Sequence, residues 1–94
     1  MALLTQQIAL SNLVIAAVDK MAELEAQGRK YVFLEEVCPD KDAHISLGIQ
    51  LERRKYNRFR MKVGKGPKSV WLVKRGSTDY SPAEARQELL LRAG

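Results

Sequence analysis

One apolar stripe with the period of an α-helix dominates the first quarter of the chain. Its members follow one another at steps of three and four residues: Leu10, Leu13, Val14, Ala17, Val18, Met21 and Leu24. This spacing places apolar side chains on a single helix face. Gly28 suits a helix stop, because glycine adopts the left-handed conformation that often follows the last turn. The pattern predicts a helix from about Thr5 to Gln27.

The chain after this helix predicts a short strand and a turn. Lys30–Leu34 is rich in side chains that favour β-structure. Pro39–Asp42 is typical of a turn, and either Asp40 or Asp42 is suited to cap a following helix. Only Glu35–Cys38 remains for a second helix, which would be very short.

Residues 43–56 fit two structures, and the fold depends on which of them forms. Four apolar residues alternate with polar residues or glycine: Ile45, Leu47, Ile49 and Leu51. Alternation is typical of a strand, but the same residues are also spaced by four, and Gln50–Lys55 consists mostly of good helix formers. Periodicity alone favours the strand and leaves the helix as the alternative.

A β-hairpin is predicted from residue 58 to residue 75. Its first strand alternates the apolar Phe59, Met61 and Val63 with the basic Arg58, Arg60 and Lys62. Gly64–Lys68 then predicts a loop, and Ser69–Arg75 a second strand. Pairing residues whose numbers sum to 132 sets Met61 opposite Trp71 and Phe59 opposite Val73. This register gives an apolar inner face, with Trp71 and Phe59 in the core, and a cationic outer face.

The last twenty residues predict a turn and a short helix. Gly76–Asp79 ends the sheet, and Ser81 is a suitable N-cap with Pro82 and Glu84 in the first turn. This helix is expected to end near Arg92. A chain of 94 residues predicts a single domain, 1–94, because a second domain would be too short to bury its own core.

Charge is distributed unevenly along the chain, whose formal net charge is +5. Residues 1–50 carry four basic and seven acidic side chains, and residues 76–94 carry two basic and three acidic ones. Residues 51–75 carry only Glu52 against ten basic side chains: Arg53, Arg54, Lys55, Arg58, Arg60, Lys62, Lys65, Lys68, Lys74 and Arg75. Such segregation indicates an acidic partner, most commonly nucleic acid.

The segment Ile45–Leu72 resembles the recognition helix and wing of the HARE-type winged-helix group. In both, a strand with phenylalanine runs into a Val-Gly-basic-Gly turn, here Val63–Gly66, and then into a strand with an aromatic residue and leucine. The resemblance extends loosely over residues 10–75. It implies that Ala43–Tyr56 is a recognition helix entering a major groove and that Gly64–Lys68 is a wing touching the DNA backbone.

The expected fold class is therefore α+β, a winged helix-turn-helix with a C-terminal helix. The alternative is a long helix packed on a four-stranded antiparallel meander. The expected function is duplex DNA binding by a small transcriptional regulator or architectural factor. RNA or single-strand binding on a basic sheet, and an interaction subunit with an acidic protein partner, are the alternatives. The expected contact residues are Arg53, Arg54, Lys55, Arg58, Arg60, Lys62, Lys65, Lys68 and Lys74.

Other chemistry has little support in the sequence. No metal, cofactor or catalytic activity is expected, because the lone Cys38 and His44 have no second ligand or nucleophile beside them. Cys38 is expected to be a small buried side chain, and His44 a surface or capping residue. The apolar N-terminus is too interrupted for a signal or a bilayer span, so no membrane contact is expected. A single cysteine cannot form an internal disulfide, which favours a reducing compartment, and a cytoplasmic protein is expected. Ile8 and Ile15 lie off the main stripe, which favours a homodimer contact through the first helix.

Overall fold

The fold is taken from a computed structural model, which describes the backbone of residues 2–91 and the side chains of residues 9–90. It is α+β, with four α-helices and a three-stranded antiparallel sheet in that range. In chain order the elements are α1 (Ala2–Ala26), β1 (Tyr31–Val32), α2 (Leu34–Val37), a 3₁₀ turn (Lys41–Ala43), α3 (His44–Arg53), β2 (Arg58–Val63), β3 (Gly66–Leu72) and α4 (Pro82–Arg86). A turn of π-helix, Gln87–Leu91, continues α4.

The predicted first helix is confirmed. Its stripe faces the core: Val14, Ala17, Met21 and Leu24 are buried, and Leu10, Leu13 and Val18 pack beside them. Gly28 ends the helix with φ at 87°, and the amide of Arg29 donates to the carbonyl of Leu24 at 2.9 Å. This is the Schellman stop that a glycine favours. Ile15 is exposed, and the side chain of Ile8 lies outside the described residues, so the homodimer contact stays a prediction.

Residues 44–53 are helical, so the strand favoured by periodicity is wrong here, and the four-stranded meander is wrong with it. The alternation has a helical cause. Leu47 and Leu51, one turn apart, are fully buried, whereas Ile45 and Ile49 form a second pair that faces solvent. Two apolar pairs on different sides of one helix produce the same sequence pattern as one face of a strand.

The hairpin forms, but the predicted register is wrong. In the sheet order β1-β3-β2, paired residues of β2 and β3 have numbers that sum to 129, so Phe59 faces Val70 and Arg58 faces Trp71. The prediction assumed one apolar face, yet β3 is buried on both. Trp71 packs with α1 and α3, whereas Val70 and Phe59 pack with the C-terminal helix. Trp71 and Phe59 are both buried, as predicted.

The connection between β2 and β3 is shorter than the expected loop of residues 64–68. Val63 pairs with Gly66, which leaves a two-residue turn, Gly64–Lys65. Gly64 has a φ of 61°, a conformation that costs a residue without a side chain little. Gly66, Pro67 and Lys68 therefore belong to β3, which begins three residues earlier than the sequence predicts.

The C-terminal helix covers the face of the sheet opposite α3, and hydrogen bonds connect it to the start of β1. The carboxylate of Glu88 accepts hydrogen bonds from the amide of Tyr31 at 2.7 Å and from the amide of Lys30 at 3.1 Å. Ser81 caps α4 as predicted, accepting from the Glu84 amide at 3.4 Å. The predicted end of this helix near Arg92 lies outside the described residues.

Candidate nucleic-acid interface

A row of basic side chains runs along β2 on the side of the sheet that carries α3. Arg58 faces Trp71 across the ladder, Arg60 faces Ser69, and Lys62 faces Pro67. Paired residues in antiparallel strands point to the same face, so all three cations share the face of Trp71. Since Trp71 packs under α3, the row extends outward from the helix along the edge strand.

The exposed side of α3 continues this surface. Ile45, Ile49 and Arg53 follow one another at intervals of four residues and are all exposed, on the side of the helix opposite the buried Leu47 and Leu51. Residues four apart lie one above the other on a helix. The free face of α3 therefore presents two apolar side chains followed by one guanidinium.

A groove separates α3 from the hairpin. It has a volume of about 410 Å³ and reaches down to the indole of Trp71, with Ile45, Ile49 and Gly48 on one wall and Arg58 and Lys68 on the other. Gly48 faces the indole, and a Cβ atom there would lie 3.4 Å from Cζ2 of Trp71, in ordinary van der Waals contact. The indole Nε1 of Trp71 is buried and has no hydrogen-bond partner among the described residues.

Ion pairs neutralise the two carboxylates beside the groove. Nε of Arg58 lies 2.7 Å from Oε1 of Glu52, and the ammonium of Lys68 pairs with Glu35 of α2. Burial alone would raise the pKa of Glu35, but its hydrogen bond from Lys68, a backbone hydrogen bond and the charges of Lys68 and His44 together hold that pKa below its ordinary value. Both pairs are substantially exposed, so each contributes at most about 1 kcal/mol and leaves the cations accessible.

The end of α3 places one further cation in an unusual backbone conformation. Lys55 follows the helix with φ at 71°, the left-handed region that usually takes glycine. The amide of Tyr56 donates to the carbonyl of Leu51 at 3.0 Å, and both side chains are buried together, which completes a Schellman stop. The side chain of Lys55 is exposed at the corner between α3 and β2.

The structure brings together some of the nine predicted contact residues and separates others. Arg53, Arg58, Arg60 and Lys62 lie on the side of α3 and β2 just described, and Lys65 stands in the turn at the end of the hairpin. Lys55 lies at the corner beside them, and Lys68 reaches over the ring of Phe33 toward Glu35, with Nζ 4.3 Å from the ring centroid.

Two predicted residues lie elsewhere. Arg54 hydrogen-bonds Gln50 at 3.0 Å and lines a depression between α3 and α1, on the other side of the helix. Lys74 follows Val73, which packs on the Trp71 side of the sheet, so the alternation of side chains along the strand directs Lys74 to the opposite side. The prediction treated the basic segment as one surface because the sequence does not show which way each side chain of α3 points.

Sequence reasoning missed the exposed isoleucines of α3. Ile45 is 80% exposed and Ile49 is 48% exposed, although both were assigned to an apolar strand face. The spacing of four, which the two share with Leu47 and Leu51, is the signal that a helical interpretation would have used. Only one of two such pairs can face the core of a helix packed from one side.

The remaining candidate side chains have structural roles. Cys38 is buried as predicted, and Nε2 of half-buried His44 lies 2.6 Å from its carbonyl oxygen at the start of α3. Within the described part of the chain, no three His, Cys, Asp or Glu residues gather in a way that would hold a metal ion. In the same range no helix is both long and apolar enough to cross a bilayer.

No known family model, curated protein or solved structure matches the chain. We therefore infer function from the arrangement of α3, the hairpin and their charges.

Proposed function

We propose that the chain is a winged helix-turn-helix module that binds duplex DNA, with α3 as recognition helix and the β2–β3 hairpin as wing. The proposal rests on one observation: the free face of α3 lies on the same side of the molecule as the cationic row Arg58, Arg60 and Lys62. The order α1-β1-α2-α3-β2-β3, with β3 between β1 and β2, supports it, because a winged helix has this order.

The dimensions of the two elements suit a duplex. A helix of ten residues is about 15 Å long, and the major groove of B-DNA is about 12 Å wide and admits one α-helix. The hairpin projects beside it and carries Lys65 at its turn. With α3 in the groove, the row on β2 would meet the phosphates along one groove wall, where Arg and Lys fix orientation and register.

The balance of charge on this surface favours a polyanion. Of its five cations (Arg53, Arg58, Arg60, Lys62 and Lys65), only Arg58 forms an ion pair among the described residues. Such a concentration of one sign is costly in self-repulsion unless an oppositely charged partner binds it. We assign the module to a small transcriptional regulator or architectural DNA-binding factor.

Binding of single strands or RNA on an open sheet has less support. That mode needs a sheet face from which aromatic side chains stack on bases. Here β3 is covered on both faces, and Trp71 and Phe59 are buried. An acidic protein partner remains the second candidate, favoured by the exposed Ile45 and Ile49, since apolar side chains with a charged rim are also typical of protein interfaces.

Fluorescence anisotropy with three labelled probes tests the proposal: a mixed-sequence 24-base-pair duplex DNA, one of its single strands, and the matching RNA strand. The proposal predicts tightest binding to the duplex, in the range of about 1–100 μM that non-specific sites show at moderate salt. Preference for either single strand would contradict it. Binding weaker than millimolar to all three at low salt would leave the protein partner as the better account.

A further inference from the structure

We infer that Ile45 and Ile49 contact the 5-methyl groups of thymine in the major groove, so that the module prefers thymine-rich duplex DNA. This inference rests on the proposed function and adds to it the chemical group that is recognised. The free face of α3, which is proposed to bind a polar, charged ligand, carries two large apolar side chains. Ile45 is 80% exposed and Ile49 is 48% exposed.

The position of the two isoleucines argues against a structural role. Both lie on the opposite side of α3 from Leu47 and Leu51, which are fully buried against α1 and the sheet. Burial of an isoleucine side chain stabilises a fold by up to about 3 kcal/mol, and this fold leaves most of that unrealised at Ile45. A ligand that covers the free face of α3 would bury both.

The surroundings of the pair favour DNA over an apolar protein surface. Along the helix Arg53 lies one turn beyond Ile49, and across the groove stand Arg58 and Lys68. Arg58 and Lys68 are paired with Glu52 and Glu35, but Arg53, Arg60 and Lys62 have no ion pair among the described residues. A ligand with an apolar group at its centre and negative charge around it therefore suits this surface. The thymine methyl group is the apolar group on the major-groove edges of the four base pairs, and phosphates line both walls of that groove.

The spacing of the pair also agrees with base-pair geometry. Residues 45 and 49 are separated by about 6 Å along the helix axis, and neighbouring base pairs by about 3.4 Å. The two side chains would therefore reach methyl groups on the order of two base pairs apart. RNA lacks this group on uracil, and its major groove is too narrow to admit a helix, so the contact would also discriminate DNA from RNA.

The test removes the methyl group and nothing else. Two 24-base-pair duplexes of alternating sequence, one of dA and dT and the other of dA and dU, are compared by anisotropy at one salt concentration. Loss of one buried methyl weakens affinity by about fourfold, so two contacts predict about 4- to 15-fold weaker binding to the dU duplex. A second comparison uses alternating dG–dC with and without 5-methyl on cytosine, and predicts tighter binding to the methylated duplex.

Variants assign the effect to the pair. Ile45→Ala/Ile49→Ala should bind the dT and dU duplexes equally, and Ile15→Ala, which changes an isoleucine 59% exposed on α1, should keep the wild-type difference. All three side chains are exposed, so thermal melts should show intact folds.

Three results overturn the inference. Salt-dependent binding of wild type to both duplexes with equal affinity would remove the methyl contact and leave the proposed function standing. A double variant that weakens binding to both duplexes by the same factor would also remove it, because the isoleucines would then act without reading the methyl group. No binding to either duplex would remove the proposed function and the inference together.

Discussion

Gly48 of α3 lies against the indole of Trp71, and a methyl group at residue 48 would sit 3.4 Å from Cζ2, in ordinary van der Waals contact. Alanine restores about 1 kcal/mol of helix propensity and makes an ordinary contact with the ring. A larger side chain would meet the indole.

We therefore expect Gly48→Ala to change the free energy of unfolding by less than about 1 kcal/mol, and Gly48→Leu to lower it by about 1–3 kcal/mol. Urea denaturation of the three proteins measures both. Equal stability of the leucine variant and wild type would mean that α3 does not rest on Trp71.

The core role of Trp71 makes a second prediction. Trp71 is 1% exposed and Arg60, on the same face of the sheet, is exposed. Trp71→Ala should lower stability by about 3–5 kcal/mol because it leaves a large cavity under α3. Arg60→Ala should change it by well under about 1 kcal/mol. Similar costs for the two variants in chemical denaturation would contradict the burial of Trp71 beneath α3.

The sequence predicts the hairpin but not the register of its two strands. Alternation along β2 predicts the hairpin correctly, because exposed basic side chains alternate with apolar side chains along this edge strand. It fails on β3, where Val70, Trp71, Leu72 and Val73 are all buried. A continuous apolar run does not show which of its side chains face which side of the sheet. The apolar pattern of the hairpin therefore does not distinguish the predicted register from the observed one. The C-terminal helix, which supplies the second core, decides between them.

The candidate site was predictable in composition and unpredictable in geometry. Ten cations against one acid identify the segment, whereas Arg54 and Arg53, adjacent in sequence, lie on different sides of α3. A helix turns by about 100° per residue. The side of the helix that faces the core must therefore be known before residues adjacent in sequence can be assigned to one surface. The same uncertainty over residues 43–56 concealed the exposed isoleucines.

Lys55 supplies a third prediction, in which stability and binding change in opposite directions. Its φ of 71° is unfavourable for a residue with a Cβ atom. Lys55→Gly should therefore raise the free energy of unfolding by about 0.5–1 kcal/mol. It should also weaken duplex binding by a few-fold, because a cation at the corner of the interface is lost. Thermal melts and anisotropy measure the two effects, and a destabilised variant would contradict the assigned helix stop.

The ion pair between Glu35 and Lys68 predicts a small dependence of stability on acid. The pKa of Glu35 is lowered in the folded protein, so its contribution is fully present above the ordinary value of 4.5 and disappears as the pH falls through the lower folded value. At pH 7 Glu35→Gln should be less stable than wild type by under about 1 kcal/mol, since the pair is substantially exposed. The difference should vanish once the pH lies well below 4.5. A constant difference across that range would mean that the pair does not form.

The central claim is that α3 and β2 form one polyanion-binding surface, and the salt dependence of duplex binding tests it most directly. Each phosphate contact contributes about −0.9 to the slope of log affinity against log salt, so the five cations of this surface predict a slope of about −4 to −5. Arg53→Gln/Arg60→Gln/Lys62→Gln should flatten the slope by about two to three units. Lys20→Gln/Arg54→Gln/Lys74→Gln removes the same charge from other parts of the molecule and should leave the slope within about one unit of wild type. Equal flattening by the two triple variants would contradict the account, because binding would then follow net charge and not this surface.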